Sequence, residues 1–242
     1  MSKPDMQVIN RLRHLVVQER PLNLLFIIST RFFTTLRSHI FRKLLGSCGK
    51  GVVCFGLPTI AGGRQITVGD AVTIGRRVKL YCNSRATIKL GNNVFLGDSV
   101  EIRNPGARID IGDDTTICNY VVIKSSPDAG RIVIGKRVWI GQGSIIEGKD
   151  ISIGDDVILA PNVHVIGGDH GIARNRRINQ QAARTAPVVI EDDCWIGSGS
   201  VVLKGVKLHE GCVVGARSVV THDIPPYTIA VGTPARVIGE RK

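Results

Sequence analysis

One histidine stands where a side chain could carry out acid–base chemistry. His170 lies between Gly168 and Gly171 and directly follows Asp169. Histidine is the side chain best suited to removing a proton near neutral pH. A lone loop histidine is ordinarily just solvated, but this one lies at the root of the only large break in a regular sequence pattern. The same segment carries four basic residues: Arg174, Arg176, Arg177 and Arg184. His170 is therefore the candidate general base.

The regular pattern is an aliphatic residue at every sixth position. A period of six fits neither the α-helix nor an ordinary strand, and it is the signature of a parallel β-helix. The pattern breaks between Val165 and Ile190, which predicts a loop insert at 166–187. The repeat positions are Val68, Ile74, Leu80, Leu90, Leu96, Ile102, Ile111, Ile117, Ile123, Ile134, Ile140, Ile146, Ile153, Leu159, Val165, Ile190, Ile196, Val202, Leu208, Val214 and Val220.

Three repeat positions predict one triangular coil of three short strands, with turns stacked ~4.8 Å apart. Glycine follows many of them, as at Gly69 and Gly75, and we expect these glycines to supply corners with positive φ. The residue four positions after a repeat position is usually small or β-branched, which predicts a second inward side chain. A Gly- and Val-rich β-sandwich would have to keep this phase by coincidence. The predicted fold is an all-β solenoid, with a coil at 51–224 and a tail at 225–242 that packs on it.

The spacing of two cysteines matches the predicted length of one coil. Cys194 and Cys212 each follow a repeat position by four residues and lie 18 residues apart, which is one uninterrupted coil. We therefore predict that they stack as neighbours inside the prism. The six cysteines show no CxxC spacing, so free thiols that fill space are expected rather than a disulfide or a metal site.

The net charge of +12 is concentrated near the start of the chain, where residues 1–50 hold nine Lys and Arg against Asp5 and Glu19. No recognition motif or aromatic stacking set accompanies it, so no nucleic-acid partner is expected. No apolar run approaches the roughly 20 residues of a membrane span. No export signal is recognisable either, and a cytoplasmic protein is expected.

Residues 1–50 are predicted to be a basic amphipathic helical segment. Phe32, Leu36, Ile40 and Leu44 recur at intervals of four, Pro21 suits a helix start and Gly46 a helix stop. Two roles stay open. The helix could cap the open end of the coil, or residues 22–45 could lie on the inner face of an anionic membrane.

Longer motifs then occur in a characteristic order. They are IGDDVILAPNV at 153–163, the Asp169–His170 pair, Ile178 with Gln181, APVVIEDDCWIGSGSVVLKGV at 186–206 and VVGARSVVTHDIPPYTIAVGTPARVI at 213–238. Over roughly residues 60–240 the chain resembles the hexapeptide-repeat acyltransferases, which fold as a left-handed parallel β-helix. The resemblance is greatest to the branch that contains galactoside, maltose and polysaccharide-sugar O-acetyltransferases.

The resemblance implies an acetyl-CoA-dependent O-acetyltransferase with His170 as catalytic base. A homotrimer with sites shared between two coils is implied, and no metal is expected. The positions matched to acetyl-CoA binding are Ser198, Ala216, Thr221, His222 and, at the nucleotide end, Arg236. The candidate acceptor contacts are Glu147, Asp169, Gln181 and Trp195. Gly239 stands where some relatives carry a basic residue, which implies fewer contacts to the CoA phosphates.

The motifs identify the acetyl acceptor less closely than they identify the acetyl donor. The small N-terminal domain of the soluble maltose and galactoside enzymes is not recognisable, which favours a sugar of a surface-polysaccharide or lipopolysaccharide precursor. An antibiotic hydroxyl, as in streptogramin or chloramphenicol acetyltransferases, or an amino-sugar nitrogen are alternatives. A zinc carbonic anhydrase of this fold needs three converging imidazoles, yet no histidine lies between His39 and His164. A scaffold without catalysis is the remaining alternative, against which the presence of His170 and Arg236 argues.

Overall fold

The computed structural model describes residues 24–242, with side chains from residue 33 onward. Helix α1 spans Leu24–Leu44, and residues 34–242 form one compact unit. The predicted helical segment thus begins before the described residues, and Pro21, its expected start, lies outside them. No helix in the described part of the chain is long and apolar enough to cross a membrane.

The coil is built from three parallel sheets, which the chain visits in turn. Within the coil, up to β26, consecutive strands therefore lie in different sheets, and each strand pairs with the equivalent strand of the neighbouring turn. The first sheet contains β1 (Ser47–Cys48), β4 (Ile66–Val68), β7 (Thr87–Leu90), β10 (Arg108–Ile111), β13 (Arg131–Ile134), β16 (Asp150–Ile153), β21 (Val188–Ile190) and β24 (Lys207–Leu208). The second contains β2 (Val53–Cys54), β5 (Thr73–Ile74), β8 (Phe95–Leu96), β11 (Thr116–Ile117), β14 (Trp139–Ile140), β17 (Ile158–Leu159), β22 (Trp195–Ile196), β25 (Val213–Val214), β27 (Thr228–Gly232) and β28 (Ala235–Glu240). The third contains β3 (Thr59–Ala61), β6 (Lys79–Cys82), β9 (Glu101–Asn104), β12 (Val122–Ser125), β15 (Ile145–Gly148), β18 (His164–Ile166), β23 (Val201–Val202) and β26 (Val219–Val220). The predicted solenoid is confirmed and has about eight turns.

The core consists of the two inward positions of each six-residue repeat. Every repeat position is at most 2% exposed, and residues four positions later, such as Val72, Val138 and Ser200, are also buried. The strands stay in register, as in the Ile117–Ile140 pair between neighbouring turns. Identical inward positions therefore stack into continuous aliphatic columns, which is how a narrow prism buries enough apolar surface to fold.

The glycines that follow the repeat positions do a different task from the one predicted. None of them has a positive φ; that conformation falls two residues later, mostly on non-glycine residues such as Arg77 and Asn93. What Gly75 provides is room, because a Cβ there would lie 2.6–2.8 Å from the backbone of Gly97 and Asp98 on the next turn. The prediction was wrong about backbone conformation, because close stacking of turns, rather than φ, requires glycine here.

Carboxylate and amide side chains satisfy the backbone at the corner between the first and second sheets. Asp70 accepts a hydrogen bond from the N–H of Lys50 at 2.6 Å, and Asn92 accepts one from the N–H of Asp70 at 2.9 Å. The N–H of Asn92 in turn donates to Asp113 at 2.8 Å. This ladder pairs corner N–H groups that the sheets leave free, which accounts for the acidic and amide residues two positions after the repeat positions.

The paired cysteines lie where the sequence predicts. Cys194 and Cys212 are buried on successive turns with their Sγ atoms 3.6 Å apart, and both are free thiols. The Sγ of Cys194 also lies 3.2 Å from the carbonyl oxygen of His209. The distance fits two stacked thiols in van der Waals and weak hydrogen-bond contact, because a disulfide would bring the sulfur atoms to ~2.05 Å.

From Thr34 onward, α1 closes the N-terminal end of the coil. Phe41 is fully buried in the core, and Ser38 Oγ accepts a hydrogen bond from the N–H of Cys54 at 3.0 Å. Arg42 also donates to the carbonyl oxygen of Gly49 at 3.0 Å. Burial raises the pKa of the Cys54 thiol to about 12, so it is a neutral part of this contact. The apolar stripe of Leu36, Ile40 and Leu44, which recur at intervals of four residues, instead faces outward, since each side chain is 37–47% exposed.

The C-terminal tail extends the second sheet. Strand β27 adds in parallel to β25, and β28 then turns back antiparallel to β27. Arg241 fixes the end of the tail to the coil through Asp193, at 2.8 Å, and the carbonyl oxygen of Gly211, at 3.2 Å.

Candidate functional site

The insert leaves the coil at the corner between the third and first sheets on a short two-stranded neck. Strands β19 (Gly168–Asp169) and β20 (Arg184–Thr185) pair antiparallel, with Asp169 opposite Arg184. Below the neck, the backbones of Gly148 and Gly167 approach so closely that a Cβ on Gly148 would lie 2.7 Å from the Gly167 Cα. The neck therefore places His170 directly above the turn that contains Glu147.

Gln181 organises the rest of the insert. Its Oε1 accepts a hydrogen bond from the N–H of Ala173 at 2.7 Å, and its Nε2 donates to the carbonyl oxygens of Ala173 and Arg176, both at 3.0 Å. It also packs against Gly171, where a Cβ would lie 2.7 Å from the Gln181 Cβ. The described contacts thus make Gln181 a residue that holds the loop, and it does not line the cleft beside His170.

A cleft of about 340 Å³ opens between the neck and the coil. It brings together three residues predicted from the sequence: His170, Asp169 and Glu147. Its other lining residues are Lys124, Ser125, Ser126, Pro127, Gly148, Lys149, Ile166, Gly168, Ala183 and Thr185. Both hydroxyl and charged groups face this space, so the cleft suits a polar molecule that bonds through several oxygen atoms.

Both carboxylates of the cleft have cationic partners. Glu147 Oε1 lies 2.6 Å from Lys124 Nζ, and Asp169 Oδ2 lies 3.4 Å from Lys204 Nζ. Among the described residues, no side chain hydrogen-bonds to the His170 imidazole. The ring is exposed at the mouth of the cleft, where its nitrogen atoms can reach a bound hydroxyl group.

The lysines that pair with the two carboxylates of the cleft, Lys124 and Lys204, were missed by the sequence reasoning. Lys124 and Glu147 face each other because β12 and β15 pair in register. Lys124 directly follows the repeat position Ile123, and Glu147 directly follows the repeat position Ile146. Equivalent repeat positions on neighbouring turns pair with each other, so the six-residue pattern was sufficient to predict the contact between Lys124 and Glu147. Lys204 carried no such signal, because its contact with Asp169 depends on the path of the insert.

Four of the five positions matched to acetyl-CoA binding lie at two edges of the third sheet. Ser198 and Ala216 lie on neighbouring turns at the corner with the second sheet, where the N–H of Arg217 donates to the Ser198 carbonyl oxygen at 2.9 Å. Thr221 and His222 follow β26 at the corner with the first sheet, and Thr221 Oγ1 lies 2.9 Å from His222 Nδ1. They come directly after the Val202–Val220 pair, which aligns them with Leu203 and Lys204 below the insert.

Arg236 and Trp195 lie away from the cleft within one chain. Arg236 is exposed on β28, and its guanidinium donates to the carbonyl oxygen of Ala235 at 2.9 Å. Trp195 is 52% exposed on the outer face of the second sheet, between Ile158 and Val213 in the register. The single chain therefore does not use Trp195 to wall the space around His170.

Metal-ligand side chains do not converge on one site among the described residues. No cluster of three or more His, Cys, Asp or Glu side chains with metal-binding geometry occurs in that part of the chain.

Comparison with known families adds to this geometry. Residues 187–222 match the family described as bacterial transferase hexapeptide (six repeats), and residues 131–166 match the hexapeptide repeat of succinyl-transferase. These two segments flank the insert, so the recognised repeats are the turns that support His170 from both sides.

Curated relatives share part of the chain. The galactoside O-acetyltransferase of Escherichia coli is 39% identical over 113 residues, which are 44% of this chain and 55% of the relative. A Mycobacterium tuberculosis protein named Probable acetyltransferase Rv3034c is 35% identical over 159 residues, 62% of this chain and 50% of the relative. The chain spans about half the length of these curated relatives.

Solved structures share the fold. A variant of AntD, an N-acyltransferase from Bacillus cereus in complex with dTDP and coenzyme A, superposes with a TM-score of 0.51 at 18% identity, covering 84% of this chain and 89% of AntD. The polySia-specific acetyltransferase NeuO gives a TM-score of 0.51 at 23% identity, covering 80% and 84%. The two matched segments lie in the eight-turn coil, and in these turns the chain is similar to the hexapeptide-repeat acyltransferases.

Proposed function

We propose that this protein is an acetyl-CoA-dependent O-acetyltransferase that acts on a sugar hydroxyl of a surface-polysaccharide or lipopolysaccharide precursor. The observation that carries the proposal is His170 at the mouth of a polar cleft, on an insert between two recognised hexapeptide segments. The galactoside O-acetyltransferase relative supports the reaction class.

The proposed reaction needs one proton carrier. His170 accepts the proton of the acceptor hydroxyl, and the oxygen attacks the thioester carbonyl carbon of acetyl-CoA. A C–O bond forms as the C–S bond breaks, and the proton passes from the imidazole to the departing sulfur. The products are the O-acetyl ester and CoA with a free thiol. General-base help of this kind typically contributes 10²–10⁴-fold to the rate.

Binding of the donor is assigned to the coil and the tail. Ser198, Ala216, Thr221 and His222 would contact the pantetheine arm, and Arg236 the nucleotide phosphates, for which a guanidinium supplies charge and forked hydrogen bonds. The first four of these residues lie at two edges of the third sheet in one chain, and Arg236 lies on β28 of the second sheet. We therefore propose that a homotrimer brings one edge of a coil against the other edge of its neighbour.

The second sheet supports such an assembly. Its outer face carries four large apolar side chains that the strand register aligns, with Thr116 between the first two: Phe95, Trp139, Ile158 and Trp195. Ile158 is 43% exposed and Trp195 is 52% exposed. Contact with a neighbouring copy would remove this surface from water, which favours association.

We also propose that the reaction takes place in the cytoplasm, with peripheral membrane contact through residues 22–45. The support is the supply of acetyl-CoA in that compartment, the six free thiols and the outward stripe of Leu36, Ile40 and Leu44. Lys43 and His39 flank this stripe, and such an arrangement suits an anionic lipid surface.

Replacement of His170 tests the catalytic assignment. His170→Ala should lower kcat by at least about 10²-fold in an assay of CoA thiol release, while the Kd for CoA stays unchanged. His209→Asn is the matched control, because His209 lies 3.4 Å from Glu191 on the first sheet and does not line the cleft. Unchanged acetyl transfer by His170→Ala would show that His170 is not the base. A panel of hydroxyl, amino-sugar and antibiotic acceptors would identify the acceptor class.

A further inference from the structure

The acceptor side of His170 has more positive charge than its own carboxylates can balance. Within the cleft, Glu147 is already paired with Lys124 and Asp169 with Lys204. Lys149 also lines the cleft, and no described carboxylate lies within ion-pair distance of it. An acceptor that enters the cleft therefore meets an excess of positive charge.

The insert adds to this excess. Arg174, Arg176, Arg177 and Arg184 are all exposed, and residues 171–187 contain no Asp or Glu. In the described structure none of these four guanidinium groups forms a salt bridge. Arginines concentrated without carboxylates raise the local potential and attract anions more strongly than a surface of mixed charge.

The backbone that carries three of these arginines is also fixed next to the base. Gln181 binds the carbonyl oxygen of Arg176 and both backbone groups of Ala173. The Gln181 side chain packs on Gly171, the residue after His170. The turn that carries Arg174, Arg176 and Arg177 is therefore fastened to the residue that follows His170, so the backbone of this turn is fixed relative to the base. Such preorganisation lowers the entropy cost of binding.

We infer that the acceptor is a phosphorylated sugar whose phosphate or diphosphate is bound by Arg174, Arg176 and Arg177 while its hydroxyl group faces His170. The inference rests on the proposed acetyl transfer and names its substrate class. A guanidinium matches phosphate oxygens with two parallel hydrogen bonds, which is why arginine suits this ligand better than a neutral glycan. The phosphate could belong to a soluble nucleotide sugar or to a lipid-linked sugar diphosphate, which share this chemistry.

Inorganic pyrophosphate is the probe that tests the site without knowledge of the sugar. With the CoA site saturated by CoA, calorimetric titration should show pyrophosphate binding to the wild type that weakens as salt is added. R176A/R177A should weaken it by at least about tenfold, and R176K/R177K should recover only part of the loss. Arg76→Ala is the matched control, because Arg76 is an exposed arginine at a different corner of the coil, between the second and third sheets. Absence of binding, or equal binding by wild type and R176A/R177A, would overturn the inference.

Kinetics then separate this inference from the proposed function. Pyrophosphate should inhibit competitively against the acceptor and not against acetyl-CoA, and R176A/R177A should raise KM for sugar phosphates but not for their neutral counterparts. A soluble nucleotide sugar and a polyprenyl-diphosphate sugar, assayed side by side, distinguish the two sources. Equal kcat/KM for neutral and phosphorylated acceptors, or binding only to anionic vesicles, would refute the phosphate site. Pyrophosphate binding without thiol release from any acceptor would instead refute acetyl transfer.

Discussion

Replacement of Gly75 by alanine tests whether close stacking of turns is what requires glycine in this coil. Gly75 follows the repeat position Ile74, and its N–H donates to the Leu96 carbonyl oxygen on the next turn at 2.7 Å. An alanine Cβ there would lie 2.6 Å and 2.7 Å from the carbonyl carbon and oxygen of Gly97 and 2.8 Å from the N–H nitrogen of Asp98. All three are backbone atoms, so no side-chain rotation can relieve the overlap.

The expected magnitude follows from that overlap. Non-bonded carbon atoms prefer about 3.5–4.0 Å, so the two turns must separate locally and strain the hydrogen bonds between them. Overpacking of this kind costs about 1–3 kcal/mol, and contact with backbone alone argues for the upper end. A glycine-to-alanine change also lowers the conformational entropy of the unfolded chain, but this stabilisation offsets only about 0.4–1 kcal/mol of the cost. The free energy of unfolding should therefore fall by about 2 kcal/mol, which lowers Tm by about 4–8 °C in a chain of this size.

Gly239→Ala is the matched control. Gly239 lies on β28, and no atom lies within 4 Å of the position that its Cβ would take. Thermal unfolding followed by far-UV circular dichroism should give this variant a Tm close to that of the wild type. If Gly75→Ala and Gly239→Ala unfold at the same temperature, close stacking is not the reason for glycine at this position.

Two further predictions concern surfaces of the folded chain. Trp195→Glu should abolish the trimer, because it places a charge among the apolar side chains on the outer face of the second sheet. The mass measured by light scattering should then fall from that of three 26.1 kDa chains to that of one chain. A variant that remains trimeric would contradict the proposed interface. Replacement of Leu36, Ile40 and Leu44 by serine should reduce flotation with anionic vesicles, whereas the Arg76→Ala control should float like the wild type; equal flotation of all three proteins would remove the membrane proposal.

Much of the fold was predictable because a β-helix is a local repeat. Ile140 and Ile146 are buried for the same reason as every other repeat position, so one rule read along the chain predicted the core, the strands and the stacking of Cys194 on Cys212. The role of the glycines was not predictable in the same way. A glycine pattern is compatible with either positive φ or close approach, and only the neighbouring turn decides between them.

The candidate site shows the same division. His170, Asp169 and Glu147 were identified from the sequence, and the structure brings them to one cleft. Gln181 was expected to touch the acceptor, but its amide holds the insert, because loop contacts depend on a path that no repeat specifies. Lys204 was not foreseen, since its partner Asp169 lies on the insert, 35 positions earlier in the printed sequence.

The sequence by itself determined the coil, its period, the place of its one large break and the histidine at that break. These features depend on spacing along the chain, where an inward position at every sixth residue is sufficient to align the turns. The tertiary structure decided which carboxylates near His170 form ion pairs and which arginines of the insert form none among the described residues. It also decided which glycines lie too close to the backbone of the next turn to carry a Cβ. Those properties depend on distances across the prism and within the insert, and such distances exist only once the chain has closed its turns and folded its loop back onto them.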